Sequence, residues 1–259
     1  MRPGRGYHKG KVKGLVSIIL ITASWQAASM LGWLNPYLMP PPSKVLRAFI
    51  ETADEGVLFI YLAASLKRVL TGLAIGFAAA VPLGVLAASR AGVRAYLLPV
   101  IELLRPVPPI AWIPLAILWF GIKGDGASAF ITFIASFFPM FLHTFSGVRH
   151  IEEIHLNAAR TLGADRKMLL LDVAIPSALP FIVTGLRISL GFAWMSVIAA
   201  ELIASSSGLG YMIEMNRSMM NIPNVICGMV TIGAVGYVMN EAIVRVERRF
   251  SWKPGRQEP

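Results

Sequence analysis

The sequence predicts an all-α polytopic membrane protein with about six transmembrane helices. Of its 259 residues, 56% are apolar and only 15% charged, against roughly 25% charged in an ordinary soluble domain. Mean hydropathy is +0.64. The apolar residues also gather into uncharged runs near the ~20 residues that a helical span requires. A soluble globular domain of this size would need a more polar skin. Gly and Pro show no repeat and apolar content is high, which sets aside collagen-like, coiled-coil and disordered chains. A single cysteine, Cys227, excludes a disulfide framework and a zinc site built from several cysteines. Within an apolar stretch it reads as a small buried hydrophobe.

The elements follow in order. Arg2, Arg5, Lys9, Lys11 and Lys13 precede an uncharged run, Gly14 to Leu34. That run is longer than the ~7–15-residue core of a signal peptide, and no small-residue cleavage site follows it. It reads as a retained first span, with Trp33 and Tyr37 at the far interface. Pro40 to Pro42 break the chain and Ser43 is positioned to cap a new helix. In that helix Val45, Leu46, Phe49, Ile50 and Ala53 share one face, as in an amphipathic helix on the outer surface.

The second span, Val69 to Ser89, carries Gly72, Gly76, Ala80 and Gly84 four residues apart, a small-residue stripe that lets another helix come close. Pro82 should bend it. The third region, Leu97 to Ile122, holds Glu102, Arg105, Pro106, Pro108, Pro109 and Pro114, too much for one straight helix. It reads as an interfacial helix, a break at Pro106 to Pro109, and a second helix reaching Trp119. Ala127 to Val148, Ile175 to Ile203 and Ser218 to Asn240 supply spans four, five and six.

Charge is +10 overall, which raises nucleic-acid binding as one explanation. The basic residues decide otherwise, because they lie in short clusters beside spans rather than on one face. With the N-terminus inside, the outer segments hold only Lys44, Arg47, Lys67, Arg68, Lys123 and Arg217. The remainder, apart from Arg105 and Arg187 within hydrophobic regions, fall inside. This bias puts both termini in the cytoplasm.

Between spans four and five lies a polar segment, Arg149 to Pro176. Ile151, Ile154, Ala158 and Leu162 take helical spacing, Gly163 supplies a left-handed stop, and Asp165 can cap a second helix. Two short helices with a tight bend are therefore expected at the cytoplasmic face. They would form either a connector on the membrane surface or a docking element for another protein.

This segment resembles the EAA loop of permease subunits of ABC importers, in which an acidic residue and two alanines precede a glycine and an Ile-x-Leu-Pro follows. Ala158, Ala159 and Gly163 match in register, Leu162 and Ala164 flank the glycine, and Val173-Ala-Ile-Pro176 fits the end. Asn157 stands where the acidic residue is usual, which removes an ionic contribution there. The stretches Leu103 to Gly121 and Ala200 to Tyr211 resemble the branch that imports nitrate, sulfonates, taurine, bicarbonate and some vitamin precursors. With Ser65-Leu-Lys-Arg68, the resemblance covers most of Ser65 to Ile243.

The resemblance implies a type I ABC importer permease fold in the bacterial inner membrane, surrounded by lipid. Residues 1–64 would form the N-tail, first span and outer helix. Residues 65–244 would form the core with its coupling loop 149–176, and 245–259 a basic cytoplasmic tail. It implies a second permease copy, two ATPase subunits docked on the loop, and an extracytoplasmic binding protein delivering a small, anionic solute. ATP and Mg belong to the ATPase partners, and no cofactor or metal to this chain.

Individual residues carry two readings each. Arg105 and Arg187 are costly within a bilayer. They either snorkel or pair with Glu102, or they attract an anion along the path. Glu201, beside the Ser205-Ser-Ser-Gly turn, either caps and supports a gate or touches solute. Trp112, Trp194, Met195 and Met212 are path candidates of types that ordinarily just pack. His150, His155, Glu152 and Glu153 lack the His-Glu-x-x-His zinc pattern. No phosphate-binding Gly-x-x-x-x-Gly-Lys-Ser/Thr occurs, and Gly208-Leu-Gly210 is no dinucleotide site. A self-contained secondary transporter or channel is the alternative, but no convincing internal repeat is found. A membrane hydrolase would need more than His143 and Glu102.

Overall fold

The computed structural model describes residues 5–121, 125–151 and 153–250. Arg2, Ile122, Lys123, Glu152, Lys253 and Arg256 therefore lie outside the described residues, with the end of the basic tail.

The described residues contain helices and no strand, and they divide into two compact units. The first unit draws on the chain up to Ile60 and on Met212–Thr231. Helix α1 (Arg5–Met30) stops short of the expected Leu34, because Gly32 turns left-handed at φ 75° and Trp33 N–H closes onto Ala28 O at 3.1 Å. Helix α2 (Pro42–Asp54) has Pro41, not Ser43, at its cap. Ser43 lies inside the helix and its N–H donates to Gln26 Oε1 at 3.1 Å. The buried residues of α2 are Val45, Ala48 and Thr52, whereas Leu46 and Ile50 of the expected apolar face are exposed.

The second unit is Tyr61–Tyr211 with the chain from Ile232. Helix α3 (Val57–Ser89) begins well before Val69, so Ser65, Lys67 and Arg68 lie within it. Helix α4 (Ala91–Leu104) leads to a 3-10 turn (Pro109–Trp112) and α5 (Ile113–Phe120), with a 90° bend at the proline-rich break. Proline removes the N–H groups that would continue the helix. Helix α6 (Gly126–Arg149) precedes α7 (Glu153–Thr161) and α8 (Arg166–Met168). A π-helical stretch (Leu169–Ala174) then runs into α9 (Ile175–Ala204).

Like α3, the last two helices draw residues from both units. Helix α10 (Leu209–Ser218) ends just before Met220, which is left-handed at φ 56°. Helix α11 (Ile222–Phe250) starts later and runs farther than the expected sixth span, and it carries the buried Cys227.

Among the described residues four helices are long and apolar enough to cross a membrane: Val57–Ser89, Gly126–Arg149, Leu169–Ala204 and Ile222–Glu247. The bent pair makes a fifth if it counts as one span, and Val16–Met30 is a shorter apolar helix.

Helix α6 is gripped on two sides. A Cβ added to Gly72 would fall 2.5 Å from Thr132 Cβ, one on Gly84 would fall 2.9 Å from Thr144 Cβ, and one on Gly76 would strike Ser136 Oγ. Numbers rise together along both helices, so α3 and α6 run parallel. Ser128, Thr132, Ser136 and Thr144 repeat at the spacing of the α3 stripe and are fully buried. On the other side a Cβ on Gly185 would lie 2.7 Å from His143 Cβ, and one on Gly147 would lie 2.6 Å from Phe181 Cβ. Here numbers run oppositely, so α6 and α9 are antiparallel. Phe138, Met140, Phe141, Ala178 and Ile182 fill the core at this crossing.

Candidate functional site

Three features of the second unit hold chemistry-bearing residues. The first is the polar segment after α6. Ile151 precedes α7 rather than joining its face. Helix α7 ends in a left-handed glycine lock: Gly163 has φ 85°, its N–H donates to Arg160 O at 2.9 Å, and Ala164 N–H donates to Ala159 O at 3.0 Å. Asp165 Oδ1 then accepts Met168 N–H at 2.7 Å as an N-cap. The second helix is not a separate short one, because α8 continues through the π-helical stretch into α9 past Pro176. Ile154 and Leu162 are 69% and 89% exposed, and Asn157 and Ala158 are exposed beside them, with Ala159 and Ala164 half-buried. Asn157 Oδ1 accepts a hydrogen bond from Arg160 Nη1 at 3.1 Å.

The second feature is a cavity of about 480 Å³ at the break between α4 and α5. Arg105, His143 and Ser146 are its polar lining, and Phe138, Ile188 and Phe192 are among its apolar walls. A neighbouring cavity of about 430 Å³ shares Leu142, His143 and Ser146.

The third is a buried ionic cluster. Glu201, 1% exposed, accepts from Arg68 Nη1 at 2.8 Å, from Ser65 Oγ at 2.8 and 2.9 Å, and from Gly210 N–H at 3.0 Å. Arg68, 2% exposed, also donates through Nε to Asp125 Oδ1 at 2.8 Å and to Ser207 O and Oγ. Lys67 donates to Asp125 Oδ2 at 2.8 Å, and this Lys67 hydrogen bond, with Arg68 beside it, holds the Asp125 carboxyl below its ordinary range. Gly208 and Gly210 leave the room that the Glu201 carboxylate occupies; a Cβ on Gly210 would lie 2.7 Å from Glu201 Cβ. Arg68 is thus a buried anchor and not an outer-loop charge.

The path candidates separate. Arg105 lines the cavity and, among the described residues, forms no ion pair with Glu102. Arg187 instead meets α11, donating to Asn240 Oδ1 at 3.0 Å and Glu247 Oε2 at 3.4 Å. Trp194 is buried and donates to Ile232 O at 3.1 Å. Trp112 packs edge-on against Phe130, and Glu201 sits in the cluster just described. Met195 is exposed and Met212 is buried. Among the described residues no three His, Cys, Asp or Glu side chains gather as a metal site would need. The sequence reading missed His143 and Ser146 as cavity residues; their spacing of three, near Pro139, was the available signal.

Among the described residues, these features belong to an all-helical chain with several helices long and apolar enough to cross a membrane. Residues 80–251 match the model of the binding-protein-dependent transport system inner membrane component family. The taurine transport system permease protein TauC of Escherichia coli K12 is 35% identical over 238 residues, covering 90% of this chain and 86% of that protein. The bicarbonate transport system permease protein CmpB of Synechococcus elongatus is 34% identical over 196 residues, covering 75% and 70%. An inward-facing structure of the MetNI methionine ABC transporter shares the fold at TM-score 0.66 and 20% identity, covering 77% of this chain and 98% of that one. The chain belongs to the binding-protein-dependent transport system inner membrane component family.

Proposed function

We propose that this chain is the translocation subunit of an ATP-driven importer of a small anion of the sulfonate or bicarbonate type. Two copies form the path, separate ATPase subunits carry ATP and Mg and grip the segment 149–176, and an external binding protein delivers the solute. The chain itself performs no hydrolysis. Both termini face the cytoplasm: the charge bias chooses the side, and the parallel α3–α6 and antiparallel α6–α9 pairs support the alternation of spans.

The observation that carries this reading is the build of the segment. An exposed apolar edge at Ile154 and Leu162 is joined, across the hydrogen-bonded Gly163–Asp165 turn, to helix that runs on from α8 into α9. A partner that displaces that edge moves the fifth span with it, as coupling between two states requires.

Gly163→Val tests it. Nothing lies within 4 Å of an added Cβ, so the cost is the left-handed backbone alone, about 1–2 kcal/mol. The expected result is loss of ATPase co-purification and uptake with membrane insertion retained, while Gly163→Asn, which tolerates that backbone, keeps both. Retention of both by the valine variant refutes the assignment.

A further inference from the structure

We propose that the cavity at the α4–α5 break binds a small organic anion, its sulfonate or carboxylate head on Arg105 and its hydrocarbon body against Phe138, Ile188 and Phe192. This deepens the permease reading and rests on it.

Charge selects the sign of the ligand. Among the described residues the lining holds a permanently cationic guanidinium and no Asp or Glu. Arg68 is consumed by Glu201 and Asp125, and Arg187 pairs with Glu247. Arg105 lines the cavity with no carboxylate partner among the described residues. Among the described residues Arg90, Arg94, Arg149 and Arg160 also lack a carboxylate partner, but Arg105 is the arginine that lines this cavity. His143 and Ser146 add a ring nitrogen and a hydroxyl about one helical turn apart.

Shape and polarity select the rest. About 480 Å³ exceeds what one bare oxyanion fills. Aromatic and aliphatic walls return nothing for the hydration that nitrate or bicarbonate would lose, but they do reward a hydrocarbon body. Close packing at the α6–α9 crossing, where Gly185 lies against His143, positions that lining residue.

The test uses the purified complex with its ATPase in lipid nanodiscs, without the binding protein, titrated with a homologous series of straight-chain alkanesulfonates. Affinity is expected to tighten roughly two- to fourfold per methylene, with alkanecarboxylates competing and nitrate and bicarbonate failing to. Arg105→Gln should weaken binding about tenfold or more, and Arg105→Lys should restore most of it. Phe192→Ala should flatten the chain-length trend, so the inference stays testable if the Arg105 variants fail to assemble. A flat trend in the wild type, equal competition by nitrate, or unchanged binding by Arg105→Gln overturns the site. A complex that assembles and hydrolyses ATP yet binds no alkanesulfonate overturns the site alone. A chain that binds the series but captures no ATPase overturns the permease reading instead.

Discussion

Replacing Glu201 by Gln removes one charge from the buried half of the cluster. Glu201 and Arg68 are both almost fully buried, and their oxygen and nitrogen lie 2.8 Å apart. Stripping one member of a buried pair costs about 3–5 kcal/mol. Arg68 keeps Asp125 and Ser207, and the amide oxygen still accepts one hydrogen bond, which reduces the expected loss to about 2–4 kcal/mol. Arg68→Met strands the carboxylate with Ser65 and Gly210 as its remaining donors and should reach the upper end of that range. The double variant Arg68→Met/Glu201→Gln should lose less than the two singles together, because neither member of the buried pair is left as a lone charge. Unfolding of the purified chain in mixed micelles by a denaturing detergent gives the four free energies. A Glu201→Gln cost below about 0.5 kcal/mol, or strict additivity in the double variant, refutes the reasoning.

Packing and acid titration give two more expected outcomes. Gly76→Val should destabilise by about 1–3 kcal/mol through overpacking, because its Cβ meets Ser136, whereas Gly92→Ala, with open space, should be near neutral in the same unfolding assay. Asp125 has a depressed carboxyl pKa in the folded chain; its contribution is present above the unfolded value of about 4 and is lost as pH falls through the folded value. Asp125→Asn should therefore flatten the acid limb of the stability profile, by a modest and salt-sensitive amount given its 36% exposed side chain; identical acid limbs refute this.

Local signals in the sequence were good guides to local structure. Prolines 106 to 109 announce the bend, the glycine stripe on α3 marks a close-packed face, and Gly163 with Asp165 gives the turn and the cap. Pairings distant in sequence left no such trace. Arg68 and Glu201 are 133 residues apart, so Arg68 looks like an interfacial charge until the fold closes. Arg187 has its carboxylate on α11 rather than at Glu102 for the same reason. The hydroxyl stripe of α6 reads as scattered polarity until the α3 glycines are laid against it. On α2, apolar character alone could not choose the packed face, because burial followed Val45, Ala48 and Thr52 instead.

The π-helical stretch Leu169–Ala174 has a mechanical corollary. Such a turn stores one residue more than the α turn it replaces. Returning that residue to ordinary winding would swivel the preceding rod by about 100° relative to α9 as i→i+5 hydrogen bonds are exchanged for i→i+4 ones. The junction leading into α9 can thus act as a torsional joint, converting a sideways push into rotation without a loose hinge.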